Sequence, residues 1–325
     1  MFKLLVSLLV IMVVNDLPAK EIPWNGQDDI IGALKLITTK RENTFVDLAE
    51  EYNYGYSELV AANPTVDAWL PEAGKLLVLP GRHILPAGNR TGVVINLAEY
   101  RLYYFNRKNQ SVFTYPIGIG ISEAPTPLVS AKIVSKTKDP TWYPPAGVRE
   151  RHLAEGRILP RLVPPGPENP LGPFALKLSA EGYLIHGTNK QIGIGMQVSG
   201  GCIRMYNTDI TEFTGIIELG SNVRIVDEPI KLAVSRGLLF VEVHANEDTD
   251  KSTLEQQFFS KLEALENTLT AEGENHYFLL NSEFLESSLA EISGIPIMVG
   301  EALPAAKWVS KEQEDSVDQM VELEE

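Results

Sequence analysis

A chain of 325 residues, 44% of them hydrophobic, is long enough to bury two or three cores, and its composition does not indicate wholesale disorder. The net charge of -15 is local: residues 245–325 carry 19 acidic and 4 basic side chains, which leaves 24 of each in residues 1–244. A charge-balanced body with an acidic tail has no basic footprint for a phosphate backbone, so nucleic acid is excluded as an expected partner.

The N-terminus reads Met1-Phe2-Lys3, an apolar run from Leu4 to Val14, then Leu17-Pro18-Ala19 before a polar stretch. This is the order of a secretory signal, expected to occupy residues 1–19. The run is far shorter than the roughly 20 apolar residues a membrane span needs, and no later segment is long and apolar enough. The expected product is an exported, soluble protein, periplasmic in a diderm cell. Its one cysteine, Cys202, cannot form an internal disulfide, so the thiol is either an inert buried side chain or one kept for its reactivity.

Residues 36–81 read as a small βααβ unit: a strand over 36–39, helices over 44–52 and 57–62, and a strand over 75–79 ending at Pro80. Thr44 and Asp47 fit a capping box, with Phe45, Leu48 and Ala49 forming an apolar helix face. From 92 to 227 the pattern turns to strands: 93–97, 101–105, 112–119, 128–134, 183–185 and 223–226 are β-rich and joined by short turns. The expected fold is mainly β, sandwich-like or barrel-like. It is interrupted by a long Pro-rich excursion from Asp139 to Pro170, read as an unstructured loop serving as a flap beside a site. Residues 228–244 read as a strand-like extension. Residues 245–325 read as an acidic tail: Leu254, Phe258, Leu262, Leu265 and Leu269 give one amphipathic helix, 278–292 gives a second, and 311–325 is polar enough to be disordered.

The chemistry concentrates in Tyr183-Leu184-Ile185-His186-Gly187-Thr188 and Ser199-Gly200-Gly201-Cys202-Ile203-Arg204. A thiol is a poor nucleophile at neutral pH until a base or a positive field raises its thiolate fraction. A histidine at a strand end, sixteen residues before the cysteine and joined to it by a Gly-rich loop, can be folded beside it. Two glycines before the cysteine let backbone N–H groups approach a substrate oxygen closely. His83, His152, His244 and His276 lack such surroundings. Gly118-Ile119-Gly120 and Gly193-Ile194-Gly195 are not a nucleotide fingerprint, and one cysteine with scattered histidines shows no zinc spacing. No cofactor or metal is expected.

The string His-Gly-Thr, a spacer, then Ser-x-Gly-Cys-hydrophobic-Arg resembles the signature of the L,D-transpeptidases of the YkuD-domain type. Tyr115-Pro116-Ile117-Gly118-Ile119-Gly120, Pro140-Thr141-Trp142 and Asn169-Pro170-Leu171-Gly172 are similar to that family as well. The segment from Thr44 to Pro80, above all Asn63-Pro64 and the closing Leu-Val-Leu-Pro, resembles the LysM module that binds the glycan of peptidoglycan. The resemblance implies Cys202 as nucleophile, His186 as its base and the Gly187 carbonyl orienting the imidazole. It implies the amides of Gly200, Gly201 and Cys202 facing the oxyanion, and Arg204 fixing the loop or meeting a substrate carboxylate. Where many members have Ser-His-Gly-Cys, this chain has Gly200. The implied reaction acts on the tetrapeptide stems of peptidoglycan: Cys202 takes the acyl group from the third residue, D-alanine leaves, and an amine resolves the thioester. The acceptor is a diaminopimelate amine, giving a 3→3 cross-link, or the C-terminal lysine of an outer-membrane lipoprotein. A hydrolase of the same bonds and an inactive peptidoglycan-binding protein are the alternatives.

Overall fold

The computed structural model describes residues 21–245, 249–271 and 276–304. The expected signal, residues 1–19, and the expected disordered end, 311–325, lie outside the described residues. The chain is mainly β. Across its largest sheet run Glu21–Pro23, Ser111–Pro116, Arg101–Asn106, Gly92–Asn96, Asn222–Val226, Ser130–Lys138, Phe174–Leu178, Leu184–His186 and Ile203–Arg204. Two of its pairings are parallel, 92–96 with 222–226 and 184–186 with 203–204; the others are antiparallel. Val93, Ile95, Leu102 and Tyr115 from one end of this sheet share a core with Leu176, Ile185 and Ile203 from the other. The sheet therefore curls round a filling, which is the helix Asn207–Ile216 through Ile210 and Phe213. On the opposite face Val94, Tyr103, Phe105 and Val112 pack under Trp24, so the strand 101–106 is covered on both sides and reads as a continuous apolar run.

Several catalytic-domain elements escaped the sequence reading, among them the strands 174–178, 197–199 and 203–204 and the helix 207–216. The helix is rich in β-branched residues, which cost a few tenths of a kcal/mol each in helix propensity. Burying Ile210 and Phe213 contributes about 1.5–3 kcal/mol each and outweighs that cost. The Pro-rich excursion also departs from expectation, because it carries a helix, Ala146–Ala154, that starts directly after Pro145. Trp142 and Val163 exchange N–H···O bonds of 2.9 Å at the neck of this flap. Asn169, fully buried, closes its base: Nδ2 donates to the carbonyls of Pro140 (2.8 Å), Pro164 (3.0 Å) and Val163 (3.1 Å), and Oδ1 accepts from the Leu171 amide at 2.9 Å. Asn169→Ala strands those buried carbonyls and is expected to cost about 1–3 kcal/mol. Limited proteolysis should then cut first within residues 146–162; an unchanged digestion pattern would show that the neck holds without Asn169.

The unit before the catalytic domain is βααβ, with strands Lys35–Thr38 and Leu76–Leu79 paired antiparallel and helices Phe45–Tyr52 and Tyr56–Ala62 packed on them. Thr44 caps the first helix: Oγ1 accepts from the Asp47 amide at 3.2 Å and the Asp47 carboxylate accepts from the Thr44 amide at 3.1 Å. Asn63, buried after the second helix, bonds the carbonyls of Leu59 and Val78 and the Val78 amide at 2.8–2.9 Å, tying helix to strand.

The C-terminal region differs most from the reading of an extension followed by a helical tail. Ile230–Ser235, Leu238–Val243, Ile297–Pro304 and His276–Leu280 form a four-stranded antiparallel sheet in that spatial order, with helices Lys251–Ala271 and Ser282–Glu291 packed against it. The stretch read as a second helix is split by Asn281, whose side chain accepts from the Phe284 amide and caps a helix that begins only at Ser282. His276–Leu280 pairs with 300–304 because Tyr277, Phe278 and Leu279 are good strand formers beside an available edge. This region has its own core, built on Leu239, Val241, Leu254, Phe258, Leu289 and Val299.

Candidate active site

His186 ends one strand and Ile203–Arg204 forms the next, with Ile185 opposite Ile203 and His186 opposite Arg204 in parallel register. Cys202 precedes that strand by one residue. Partners in a parallel pair face the same way, so Arg204 lies on the face that His186 occupies, one strand away; the Cys202 thiol sits against the start of the His186 strand, at the Leu184 amide and the Gly182 carbonyl. Gly118 holds the other side of the strand that follows Cys202, exchanging hydrogen bonds of 2.8 and 2.9 Å with the Arg204 backbone.

His186 is buried, and its Nδ1 lies 2.6 Å from the Gly187 carbonyl oxygen. A carbonyl only accepts, so Nδ1 carries the proton and Nε2 keeps its lone pair. Burial lowers the imidazole pKa to about 4, assisted by the positive charge of Arg204 and opposed by the Gly187 hydrogen bond. Burial also pushes the Cys202 thiol up, against the pull of the Leu184 amide and of Arg204. The resting pair at neutral pH is thus a neutral imidazole and a thiol, whose Sγ donates to the Gly182 carbonyl at 3.7 Å. Arg204 is two residues from the thiol with its Nε buried and without a hydrogen-bond partner among the described residues.

The loop into Cys202 is clamped from two sides. Ser199 Oγ donates to the Cys202 carbonyl at 2.5 Å and accepts from the Gly201 amide at 3.1 Å. Thr126 Oγ1 donates to the Gly201 carbonyl and accepts from the Gly120 amide, both at 2.9 Å. Gly201 has φ +110°, a conformation closed to side-chain-bearing residues at low cost. The expectation that all three amides of 200–202 are available is corrected here: the Gly201 amide is already taken by Ser199. Those of Gly200 and Cys202 have no hydrogen bond among the described residues. Gly187 is glycine for lack of space, since a Cβ there would sit 2.4 Å from Asn207 Oδ1. Asn207 in turn bonds the Thr188 amide and carbonyl at 2.9 Å each, holding the His-Gly-Thr turn. Thr126 and Asn207 are the site residues that sequence reading missed. Neither has a local pattern, and only the fold brings them to the loop.

The βααβ unit buttresses the connection between histidine and cysteine. Glu50 accepts from Gln191 Nε2 at 2.7 Å, the Tyr56 amide bonds the Ile194 carbonyl at 3.2 Å, and Tyr206 Oη donates to the Tyr54 carbonyl at 3.1 Å. Elsewhere, His83, Glu99 and Glu242 bring ligand atoms close enough to suggest a cation site. The cation is already supplied: Lys231 Nζ lies 2.7 Å from Glu99 and 2.9 Å from Glu242. Three of the other histidines stand elsewhere, His83 and His244 beside Glu242 and His152 on the flap helix.

A half-buried thiol, a neutral imidazole with a free Nε2 and a clamped glycine loop on one sheet edge is an arrangement for acyl transfer. The family model of the YkuD L,D-transpeptidase catalytic domain matches residues 90–225. A protein of Escherichia coli strain K12 described as probable L,D-transpeptidase YcfS is 40% identical over 237 residues, covering 70% of this chain and 74% of that one. Another from the same strain, described as probable L,D-transpeptidase YbiS, is 36% identical over 280 residues, covering 85% and 90%. Among solved structures, L,D-transpeptidase 3 from Mycobacterium tuberculosis aligns over 49% of this chain and 73% of that one, at 15% identity and a TM-score of 0.34. The chain belongs to the YkuD-type L,D-transpeptidase family and is, by that membership, an acyltransferase.

Proposed function

We propose that this chain acts on peptidoglycan as a cysteine L,D-transpeptidase, through a thioester on Cys202. The observation that carries the reading is the tautomer of His186: with Nδ1–H spent on the Gly187 carbonyl, Nε2 is the basic nitrogen, on the strand that neighbours the one directly after Cys202. Nε2 takes the thiol proton as Sγ attacks the carbonyl of the third stem residue, a diaminopimelate L-centre. The amides of Gly200 and Cys202 donate to the developing oxyanion. The C–N bond to the fourth residue breaks, the imidazolium returns its proton to the departing amine, and D-alanine leaves. An amine then attacks the thioester and frees the thiol, giving a 3→3 cross-link with a diaminopimelate amine or an anchor with a lipoprotein's C-terminal lysine. Arg204 holds the nucleophile loop under a positive field that favours thiolate.

The βααβ unit at 36–81 is assigned as a LysM glycan-binding module, supported by its capped first helix and by the Asn63 tie between helix and strand. Together with the expected signal at 1–19 this supports a periplasmic location at the cell wall. No described helix is long and apolar enough to cross a membrane.

The test is mass spectrometry of the full chain incubated with disaccharide-tetrapeptide, with and without a lysine-ended peptide. The expected results are free D-alanine, a transient acyl adduct on the peptide containing Cys202, and a product one D-alanine lighter than its two reactants. The reactant pair that yields it identifies the acceptor. Tripeptide alone would make the enzyme a hydrolase, and D-alanine released while Cys202 never carries an adduct would overturn the mechanism.

A further inference from the structure

The flap helix Ala146–Ala154 has no fully buried residue, yet it lies on the nucleophile loop. Its half-buried residues are Val148, Arg151 and His152, at the i, i+3, i+4 spacing of one helix face. That face covers Gly200, where a Cβ would meet Arg151 Nη2 at 2.9 Å and Val148 Cγ2 at 3.3 Å. The missing side chain at 200 is what lets the helix sit this close. Arg151 is thereby held two residues from the cysteine, and no carboxylate pairs with it among the described residues. Arg157 and Lys190 lie near the same helix face: with Arg151 they add to burial in depressing the pKa of His152, although Arg157 is itself paired with Glu155. Arg204, on the inner side of the loop, offers a buried Nε without a partner. Arg151 and Arg204, neither of them paired with a carboxylate among the described residues, stand on either side of the loop into Cys202 and fit an anionic ligand. The donor of the reaction proposed above carries carboxylates close to the bond that breaks, on the departing D-alanine and on diaminopimelate.

We infer that Arg151 is a substrate-binding residue that pairs with a carboxylate of the donor stem peptide as the flap helix covers the thiol. The inference rests on the proposed function. A guanidinium pairs bidentately with a carboxylate, so it fixes orientation as well as charge, which an ammonium does less well.

The test is steady-state D-alanine (or D-alaninamide) release by the full chain and by Arg151→Ala and Arg151→Lys. Three donors are compared: the disaccharide-tetrapeptide, the same with a C-terminal D-alaninamide, and the same with the free diaminopimelate carboxylate amidated. Alanine is a good helix former on this half-exposed face, and unchanged alkylation of Cys202 by neutral iodoacetamide serves as the check on the loop. With the unmodified donor, Arg151→Ala should raise KM roughly 10- to 100-fold, as expected for a charge-assisted hydrogen bond, with kcat changed less than about twofold. Arg151→Lys should recover part of that. The penalty should vanish on one of the amidated donors, and which one identifies the carboxylate. An unchanged KM, a fall in kcat alone, or an equal penalty on all three donors would overturn the assignment. If the wild-type chain releases D-alanine from none of them, the proposed function itself fails, a result distinct from any Arg151 outcome.

Discussion

Cys202→Ala is expected to form no acyl adduct, and His186→Ala to lose roughly 10²- to 10⁴-fold in kcat/KM, the range for removing a general base. The two should not add: without the base the thiol attacks poorly, and without the thiol the base has nothing to activate. The pH profile separates this arrangement from a pre-formed ion pair. Activity needs the unprotonated Nε2, and burial lowers the imidazole pKa to about 4, so the acid limb of kcat/KM should lie near pH 4 rather than near the ordinary value of 6.5. A group with a lowered pKa stays neutral to lower pH, so activity falls only as pH drops through the lowered value. Burial raises the Cys202 pKa, and simple alkylation should therefore be slow at neutral pH and accelerate above the usual thiol range. An acid limb at 6 to 7 together with fast alkylation at neutral pH would mean a resting thiolate–imidazolium pair instead.

Lys231→Met is expected to destabilise the chain by about 3–5 kcal/mol, the cost of leaving buried charge uncompensated. Lys231 stands directly opposite Glu242 in the C-terminal sheet, and its Nζ also reaches Glu99 at 2.7 Å, in the turn between two catalytic strands, and the Ile84 carbonyl at 2.6 Å. Burial opposes the ammonium, but the attraction of Glu242 and Glu99 outweighs it and holds its pKa above the ordinary value. Glu242 is held well below the carboxylate range for the matching reason, burial being overcome by Lys231 and by the hydrogen bond with His244. Tyr103 Oη donates to Glu99 at 2.7 Å and Asn96 Nδ2 at 2.8 Å, so removing the lysine leaves a prebuilt cage for a missing cation. Urea unfolding measures the loss. Glu242→Gln in the Lys231→Met chain should restore part of it by removing one stranded charge, and a loss below about 1 kcal/mol would show that the C-terminal sheet is not locked to the catalytic domain through this lysine.

The sequence was sufficient wherever local chemistry decides the outcome. Thr44 and Asp47 announced a helix start because a capping box is satisfied within four residues, and the β-rich runs at 93–97 and 101–105 announced strands because β-branched and aromatic side chains suit a pleated surface. The Cys202, His186 and Gly187 cluster was legible as a motif, since reactive thiols need a base and a close backbone. What the sequence could not carry was anything settled between distant segments. Helix 207–216 exists because a curled sheet offers Ile210 and Phe213 a place to be buried, against the preference of its own residues. The acidic C-terminal region became a folded sheet because strand 297–304, featureless alone, completes an edge for two others. The Gly201 amide is withdrawn from the oxyanion set by Ser199, Thr126 arrives from 75 residues away to hold the same loop, and Arg151 reaches it only because a flap helix settles where Gly200 has no side chain. Motif spacing determined which atoms can react. Packing decided which of them are free, buried and charged when they do.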